Sequence, residues 1–308
     1  MGLRVAPVAP FDFEMSLRFV CQPPRTVAAS SWEPGADVWT GREYRRVLWL
    51  GGRPLLLLLR NAGLVDKPAL EWRVAGATLN DAEQKAVQEI AGHMVSADID
   101  LAPFYARARL DPVLNDLRDQ YYGLKVIRFP SLYECLVSTV LEQQINLLFA
   151  ATLKRRLMET FGPVVEHDGR PWRGYPPPET LARLIPDQLR PLQISERKAS
   201  YLIGIARAFA EGKIDEAGLR REPAEKAVET LTGLRGIGRW TAEYSLLRGL
   251  GHTDVLPADD VGLQRTAGLL YGLKAPATAM SIRRRWKRLS PWQGYAALYL
   301  WFTYWGNS

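Results

Sequence analysis

The chain has 308 residues, 47% of them apolar, which is enough for about two domains that each bury a core. Its opening, MGLRVAPVAPFDFE, lacks the layout of a secretory signal, and no stretch approaches the roughly 20 apolar residues of a membrane span. Cys21 and Cys135 are too few for a four-cysteine zinc site or iron–sulfur cluster. We therefore expect a cytoplasmic protein that is not secreted and has no membrane partner, with both cysteines buried.

The positive charge of the chain is concentrated in its second half. Residues 1–154 contain 17 basic and 17 acidic side chains, whereas residues 155–308 contain 23 basic and 16 acidic ones, which accounts for the net charge of +7. Of the 40 basic residues, 31 are arginine, whose planar guanidinium group suits phosphate. A polyanionic partner and a solvated surface with biased arginine usage explain this excess equally well.

The first hundred residues predict a small α+β domain, residues 1–98, with an antiparallel sheet and helices. Two apolar runs meet at Gly51-Gly52, which is a β-hairpin signal. The segment ALEWRVAGATL predicts another strand. Asn80 and Glu83 then form a capping-box pattern for a helix that extends to about residue 94.

The rest of the chain is dominated by helix start and stop signals. Ser131 and Glu134 predict a capping box for a helix that is interrupted at EQQIN, and Asn146 caps a second helix that ends near residue 162. Gln143 and Gln144 would then lie in the turn between them. Further helices are expected to begin at Ser195, Pro223 and Ser290-Pro291, and RPWRGYPPPE is expected to be an irregular connector.

The segment LRGIG, residues 234–238, separates a helix that ends near Thr232 from one that begins near Arg239. Two glycines allow positive φ and leave backbone N–H groups unobstructed at a helix N-terminus, a geometry that suits a phosphate oxygen without any base preference. Ile237 is expected to anchor this turn in the core. The letters GIG alone favour a plain helix–helix turn with a glycine cap.

The continuation of this segment changes that interpretation. LRGIGRWTAEYSLLRGLGHTDVLPADDVGLQR resembles the helix-hairpin-helix superfamily of DNA glycosylases, and most closely its DNA-3-methyladenine glycosylase II family. The segments CLVSTVLEQQINLLFAATL, PFDFEMSLRF and YAALYLWFTYW are similar to the same family. The resemblance implies an all-α core of two helical subdomains behind the N-terminal α+β domain, one formed by residues 99–130 and 253–308 and the other, with the hairpin, by residues 131–252.

This resemblance also implies a function and a partner. The expected enzyme flips a damaged base out of double-stranded DNA and hydrolyses its N-glycosidic bond in base excision repair, as a nucleoid-associated monomer without a protein partner. Alkylated purines, 3-methyladenine and 7-methylguanine, and also hypoxanthine are candidate substrates that the sequence does not rank. The alternative function is a non-catalytic helix-hairpin-helix protein that binds DNA or senses damage.

Two consecutive aspartates follow the hairpin helix. Breaking an N-glycosidic bond places positive charge on the sugar, so a carboxylate can stabilise that cation and take a proton from attacking water. Consecutive side chains on a helix cannot face the same point, so Asp259 and Asp260 should have different roles. The family motif maps the catalytic residue to Asp260, and Asp259 is expected to cap the helix VGLQRTAGLL. The letters DD alone would fit an ordinary acidic helix start.

Alkylated purines already carry positive charge and depart without an acid, so their pocket needs electron-rich faces. Trp240 and Tyr244 lie one turn apart on the hairpin helix, and the last helix is rich in aromatic residues. Most aromatic stripes are core. The resemblance assigns four of these side chains to the base pocket: Trp240, Tyr244, Trp301 and, more weakly, Phe19.

Removing a base from the stack leaves a gap that the enzyme must fill. The resemblance places the wedge at Gln144, with Gln143 beside it, although both glutamines could simply satisfy buried helix ends. It also implies further DNA contacts at Gly236, Gly238, Arg239, Thr241 and Arg265. The basic run IRRRWKRL, residues 282–289, fits either a DNA backbone contact or a solvated face.

One departure from related enzymes bears on the chemistry. Superfamily members that also nick the strand, such as 8-oxoguanine glycosylase, carry at position 240 a lysine that forms a Schiff base, whereas this chain has Trp240. No lysine occurs between Lys226 and Lys274, so we expect a monofunctional glycosylase without lyase activity. No organic cofactor is implied. The hairpin carbonyls of Leu234 and Gly236 could hold a sodium or potassium ion, as they do in the family.

Overall fold

The computed structural model describes residues 3–22 and 35–305. Its N-terminal part is a five-stranded antiparallel sheet in the order β1-β5-β4-β3-β2. The strands are β1 (Leu3–Val5), β2 (Val38–Trp39), β3 (Tyr44–Leu50), β4 (Arg53–Asn61) and β5 (Leu70–Ala75). None of the helices within the described ranges is long and apolar enough to cross a membrane.

The β3–β4 hairpin turns at Gly51-Gly52 as expected, because both glycines have positive φ, +59° and +78°. One face of the sheet packs on α1 (Phe13–Cys21) and α2 (Asp81–Met94). The predicted capping box of α2 is present: Asn80 Oδ1 accepts from the Glu83 N–H, and the Glu83 carboxylate accepts from the Asn80 N–H. The α+β class predicted for the first hundred residues is therefore confirmed.

The other face of the sheet is covered by a short hairpin that the sequence analysis missed. Strand β6 (Val164–His167) pairs with β7 (Arg170–Arg173), which forms where the irregular connector RPWRGYPPPE was expected, and Val165 and Trp172 pack on Leu56 and Leu58. The turn uses Asp168 and Gly169, both at positive φ. A run of five leucines in β4 is buried on both sides of the sheet, so its outer face needed a cover.

The remaining elements form the helical body, and its core extends to the end of the last helix. They are α3 (Ala102–Ala108), α4 (Pro112–Gln120), α5 (Leu132–Glu142), α6 (Leu147–Phe161), α7 (Pro178–Ala182), α8 (Pro186–Leu189), α9 (Glu196–Ala210), α10 (Glu216–Arg221), α11 (Ala224–Thr232), α12 (Arg239–Ser245), α13 (Val261–Leu270), α14 (Ala279–Trp286) and α15 (Gln293–Trp305). A π-helical turn, Leu246–Leu250, continues α12. The predicted helix starts at Asn146, Ser195 and Pro223 are all confirmed.

Helix α5 runs through the centre of the body, and its residues from Leu132 to Leu141 are all buried. Ser131 caps it by accepting from the Glu134 N–H, but Glu134 does not complete the expected capping box. Its carboxylate instead pairs with Arg46 of β3, which also contacts Asp37 at 3.0 Å. Because Arg46 is fully buried, it needs these counter-charges, and the resulting cluster joins the sheet to the helical body.

Candidate active site

A cleft of about 1570 Å³ opens along the α5–α6 turn, the start of α9, the turn between α11 and α12, the start of α13 and the end of α15. Every residue assigned to the site from the sequence lines this cleft. These residues are Phe19, Gln143, Gln144, Leu234, Gly236, Gly238, Arg239, Trp240, Thr241, Tyr244, Asp260, Arg265 and Trp301. The fold thus brings together segments that lie more than two hundred residues apart in the chain.

Asp260 is held at the N-terminus of α13. Its Oδ1 accepts from the Leu263 N–H at 2.7 Å and from Trp301 Nε1 at 3.0 Å, and its Oδ2 accepts from Trp240 Nε1 at 3.2 Å. Asp260 therefore caps α13, and the expectation that Asp259 would do so is wrong. The helix begins one residue later than that expectation required, which leaves Asp259 exposed and 3.3 Å from Arg283.

Asp260 accepts hydrogen bonds only from neutral N–H groups within the described part of the chain, so no Lys or Arg there neutralises its charge. Burial raises the pKa of Asp260, the three hydrogen bonds from Leu263, Trp301 and Trp240 act in the opposite direction, and the charge of Glu142 adds to the rise. The net effect is a raised pKa, which makes the ionised carboxylate a stronger proton acceptor than a free aspartate.

The four aromatic residues assigned to the base pocket form one continuous wall around this carboxylate. Trp240 stacks on Tyr244 with ring centroids 5.7 Å apart, Tyr244 meets Trp301 edge-on at 5.6 Å, and Trp301 stacks on Phe19 at 6.3 Å. Both indole N–H groups are committed to Asp260, which fixes the orientation of the two tryptophan rings. The wall therefore offers rigid, electron-rich faces beside a negative charge.

The two hairpin glycines have different environments. Gly236 has φ of +93°, and a Cβ there would lie 2.3 Å from the ring of Tyr201, so only glycine fits. Gly238 precedes α12 with an ordinary φ of −86° and has no neighbouring atom within 4 Å of a built Cβ. Ile237 is buried, as expected. Only Gly236 needs positive φ, whereas Gly238 keeps the space in front of the helix N-terminus open.

The two glutamines of the α5–α6 turn point to different places. Gln143 donates through Nε2 to the Gly236 carbonyl and to Thr241 Oγ1, both at 3.0 Å, so Gln143 and the buried Thr241 support the hairpin from inside. Gln144 has φ of +57° and is exposed, with its Oε1 accepting from Arg197 at 3.3 Å. Gln144 and the cap residue Asn146 are therefore exposed at this turn, whereas Gln143 is half-buried.

The carbonyls expected to bind a monovalent ion already accept hydrogen bonds. Leu234 O accepts from the Ile237 N–H at 3.1 Å, and Gly236 O accepts from Gln143. Each carbonyl oxygen still has a second lone pair. Among residues 3–22 and 35–305, no group of three or more His, Cys, Asp or Glu side chains is arranged to hold a metal ion.

Several basic residues at the rim are tied into ion pairs. Arg239 binds Glu225 and Glu243, and Arg283 binds Glu243 through two bonds of 3.0 Å. Arg265 is exposed at the cleft. In the basic run, residues 285 and 288 lie 3.6 and 3.5 Å from the buried Asp111, so much of the run is occupied within the protein.

Three charged residues near the cleft escaped the sequence analysis. Arg248 lies one turn beyond Tyr244 and donates to its hydroxyl at 3.1 Å. Its sequence spacing of four residues from Tyr244 is the signal that could have identified it. Glu142 lines the cleft just before the two glutamines. Lys198 also lines it and donates to the Leu141 carbonyl at 2.8 Å, while burial lowers the pKa of its amine. Lys198 lies about 40 residues before the hairpin in the sequence, so no local pattern connects it to the cleft.

Comparison with known proteins places this site in a family. The model of the HhH-GPD superfamily of base excision DNA repair proteins matches residues 137–291. A DNA-3-methyladenine glycosylase of Bacillus subtilis (strain 168) is 39% identical over 232 residues, 72% of this chain and 76% of that protein. DNA-3-methyladenine glycosylase 2 of Escherichia coli (strain K12) is 34% identical over 182 residues, 59% of this chain and 61% of that protein.

A solved structure shares the whole architecture. The structure of a 3-methyladenine DNA glycosylase from Archaeoglobus fulgidus matches with a TM-score of 0.80 at 24% identity, and the alignment covers 98% of each chain. This likeness confirms the predicted fold class of an α+β domain followed by a helical core. The family match over residues 137–291 and the Bacillus and Escherichia relatives confirm the resemblance stated from the sequence. The chain belongs to the HhH-GPD, or helix-hairpin-helix, superfamily of base excision DNA repair proteins.

Proposed function

We propose that this protein is a monofunctional DNA glycosylase that hydrolyses the N-glycosidic bond of alkylated purines in duplex DNA and leaves an abasic site. The observation that carries the proposal is the Asp260 carboxylate, fixed by two indole N–H groups inside an aromatic cleft next to the hairpin. The names of the Bacillus and Escherichia relatives, both 3-methyladenine glycosylases, support the same substrate class.

Asp260 has two tasks in this reaction. As the bond to the base breaks, positive charge develops on the sugar, and a carboxylate that lacks a counter-ion stabilises that charge strongly in a water-poor cleft. The raised pKa also helps Asp260 to take a proton from the attacking water. The hydrogen bonds from Trp240, Trp301 and Leu263 hold the carboxylate in place, so little reorganisation is needed when the charge forms.

The aromatic wall acts on the leaving group. A purine alkylated at N3 or N7 is cationic, so it departs as a neutral base and needs no general acid. Such a base is attracted to the faces of Trp240, Tyr244 and Trp301, and this attraction is worth about 0.5–2 kcal/mol per ring face depending on desolvation. A neutral, undamaged purine gains less from the same faces, which favours damaged bases.

The rim of the cleft supports binding of duplex DNA by a single chain. The backbone N–H groups around Gly238 are open at the start of α12, where the helix dipole favours a phosphate. Arg265 adds an exposed cation, and Gln144 is the exposed side chain that could fill the gap left by the flipped nucleotide. We propose that the protein acts on duplex DNA as a monomer.

The absence of lyase activity rests on what occupies position 240. Trp240 uses its N–H to hold Asp260, so no amine lies at that position. Lys198 is the amine that lines the cleft, but its Nζ donates to the Leu141 carbonyl. We expect no covalent adduct when the protein is incubated with damaged duplex and sodium borohydride. A trapped adduct that disappears in Lys198→Met would contradict monofunctional action and would identify the nucleophile.

The test of the proposed function is release of free bases from methylated duplex DNA, followed with and without hot alkali. The wild-type chain should release methylpurines and give strand breaks only after alkali. Asp260→Asn should lower the single-turnover rate by about 10²- to 10⁴-fold. Asp259→Asn is the matched control, because it removes the neighbouring, exposed carboxylate and should keep the rate. DNA binding without base release would instead support the non-catalytic alternative.

A further inference from the structure

A second, smaller cavity of about 130 Å³ adjoins the cleft. It shares four wall residues with the cleft: Phe19, Glu142, Leu147 and Tyr244. We call it the inner chamber and define it by its polar wall: Gln22, Asp37, Ser138, Glu142, Lys154, Tyr175, Tyr244 and Arg248. An engineered cavity of about 150 Å³ accommodates benzene, so a chamber of this size can receive one ring edge of a base.

Glu142 and Lys154 form an ion pair in the wall of the inner chamber. Lys154 Nζ donates to Glu142 Oε1, and each side chain is only 19% exposed. Burial lowers the pKa of Lys154, but the adjacent Glu142 carboxylate outweighs it and leaves that pKa raised. Lys154 therefore stays protonated at neutral pH. The mechanism proposed above uses neither residue.

Glu142 also acts on the cleft itself. It lines the cleft together with Asp260 and Tyr244, and its charge raises the pKa of both groups. The other oxygen of Glu142, Oε2, accepts no hydrogen bond from the part of the chain that the structure describes. A base between the aromatic rings would thus find a second acceptor, on the side of the cleft where the inner chamber opens.

The inner chamber offers a further polar group. The Ser138 hydroxyl is buried in its wall, with the residue 1% exposed, beside the Tyr175 hydroxyl. Arg248 is 4% exposed, and its guanidinium donates hydrogen bonds to the Ile127 carbonyl and the Tyr244 hydroxyl. These protein groups therefore already bind this cation.

We propose that Glu142 is a specificity-determining residue of the cleft: through Oε2 it accepts hydrogen bonds from the amino edge of the extruded base, whose N–H groups donate more strongly in a cationic N-alkylated purine than in a neutral purine. Lys154 is its positioning residue, and Ser138 offers a further contact to the same edge. This inference rests on the proposed function. Because the base loses its positive charge as it departs, Glu142 interacts most strongly with the bound substrate and strengthens binding rather than speeding the chemical step.

The test uses single-turnover excision from a duplex with one 7-methylguanine, measured over a range of enzyme concentrations. Glu142→Gln should raise the half-saturating enzyme concentration about tenfold, because it weakens a hydrogen bond to a charged group, without lowering the maximal rate constant. Binding to a duplex with a tetrahydrofuran abasic site, which offers no base, should not change. Glu159→Gln, an exposed carboxylate on α6, is the matched control and should behave like the wild type.

A second variant is needed because Glu142→Gln removes the counter-charge of Lys154, and an unpaired lysine at this site can disturb folding. Glu142→Gln with Lys154→Met removes both charges at similar volume and should show the same rise for 7-methylguanine. A normal half-saturating concentration in either folded variant would overturn the inference, and so would an equal loss of affinity for the abasic duplex. Base release that depends on Asp260 but not on Glu142 would overturn only this inference. A wild-type chain that releases no methylpurine would overturn the proposed function and this inference with it.

Discussion

On one face of α12, Trp240 donates its indole N–H to the cleft carboxylate of Asp260, whereas on another face Glu243 lies between Arg239 and Arg283. Both carboxylates are held by several hydrogen bonds. Asp260 receives only neutral donors, while Glu243, which is 2% exposed, receives two cations. Neutral donors orient a carboxylate without cancelling its charge, so Asp260 keeps its charge for a ligand. Glu243 instead holds α14 against α12 through Arg283, and Arg239 extends the network to Glu225 of α11.

The largest effect that should separate the two faces is on stability. Glu243→Gln leaves two arginines without a common carboxylate, and we expect the free energy of unfolding to fall by about 2–3 kcal/mol, since both arginines can still reach water. Urea unfolding measures this change, and Glu229→Gln on the exposed side of α11 is the control. The excision rate per folded molecule should stay near wild type. A rate that falls with the stability would mean that both faces serve catalysis.

The next effect concerns the cleft face and the pH dependence of the rate. Trp301→Phe removes the donor to Asp260 Oδ1, and because this hydrogen bond lowers the pKa of Asp260, that pKa should rise further. Activity needs the ionised carboxylate and is lost as the pH falls through this pKa. The acid limb of the pH–rate profile should therefore move to higher pH, with a rate loss of about tenfold at neutral pH. Trp292→Phe, which does not contact Asp260, should leave the limb unchanged.

The smallest effect concerns the stability cost of the cleft carboxylate. Because the pKa of Asp260 is raised in the folded chain, ionisation disfavours folding, and this cost appears as the pH rises above the pKa of the unfolded chain. Asparagine still caps a helix, so Asp260→Asn should raise the Tm on the order of 2 °C at neutral pH. The difference should vanish in acid. A lower Tm at neutral pH would show that the charge stabilises the fold.

Much of the fold follows from local sequence signals. The Asn80–Glu83 capping box, the Gly51-Gly52 turn and the helix cap at Ser195 each depend on a few adjacent residues, and each is present. The β6–β7 hairpin was missed although its turn carries an Asp-Gly signal, because its strands are short and matter only as a cover for the sheet. The β6–β7 hairpin is required by the packing of a distant sheet, so the sequence of the hairpin itself does not reveal that requirement.

The residues of the candidate site also fall into those that the sequence predicted and those that it did not. Asp260 and the four aromatic residues were found through a family motif, and the structure brings them together. The cap of α13 was assigned one residue too early, because neighbouring aspartates look alike until the helix start is known. Glu142, Lys154 and Lys198 reach the cleft or its chamber through the packing of α5, α6 and α9, and no local pattern marks that convergence.

Gln143 ties two loops into one rigid unit. Its side-chain amide donates hydrogen bonds to Gly236 and Thr241, which connect the α5–α6 turn to the turn before α12 and to α12 itself. The next residue, Gln144, faces outward. These hydrogen bonds therefore fix the distance between the turn before α12, which we propose faces a phosphate, and the outward side chain of Gln144. If a duplex binds at both points as proposed, it must adopt that spacing, so the cost of adjustment falls on the nucleic acid and is lowest where damage has already weakened the stack.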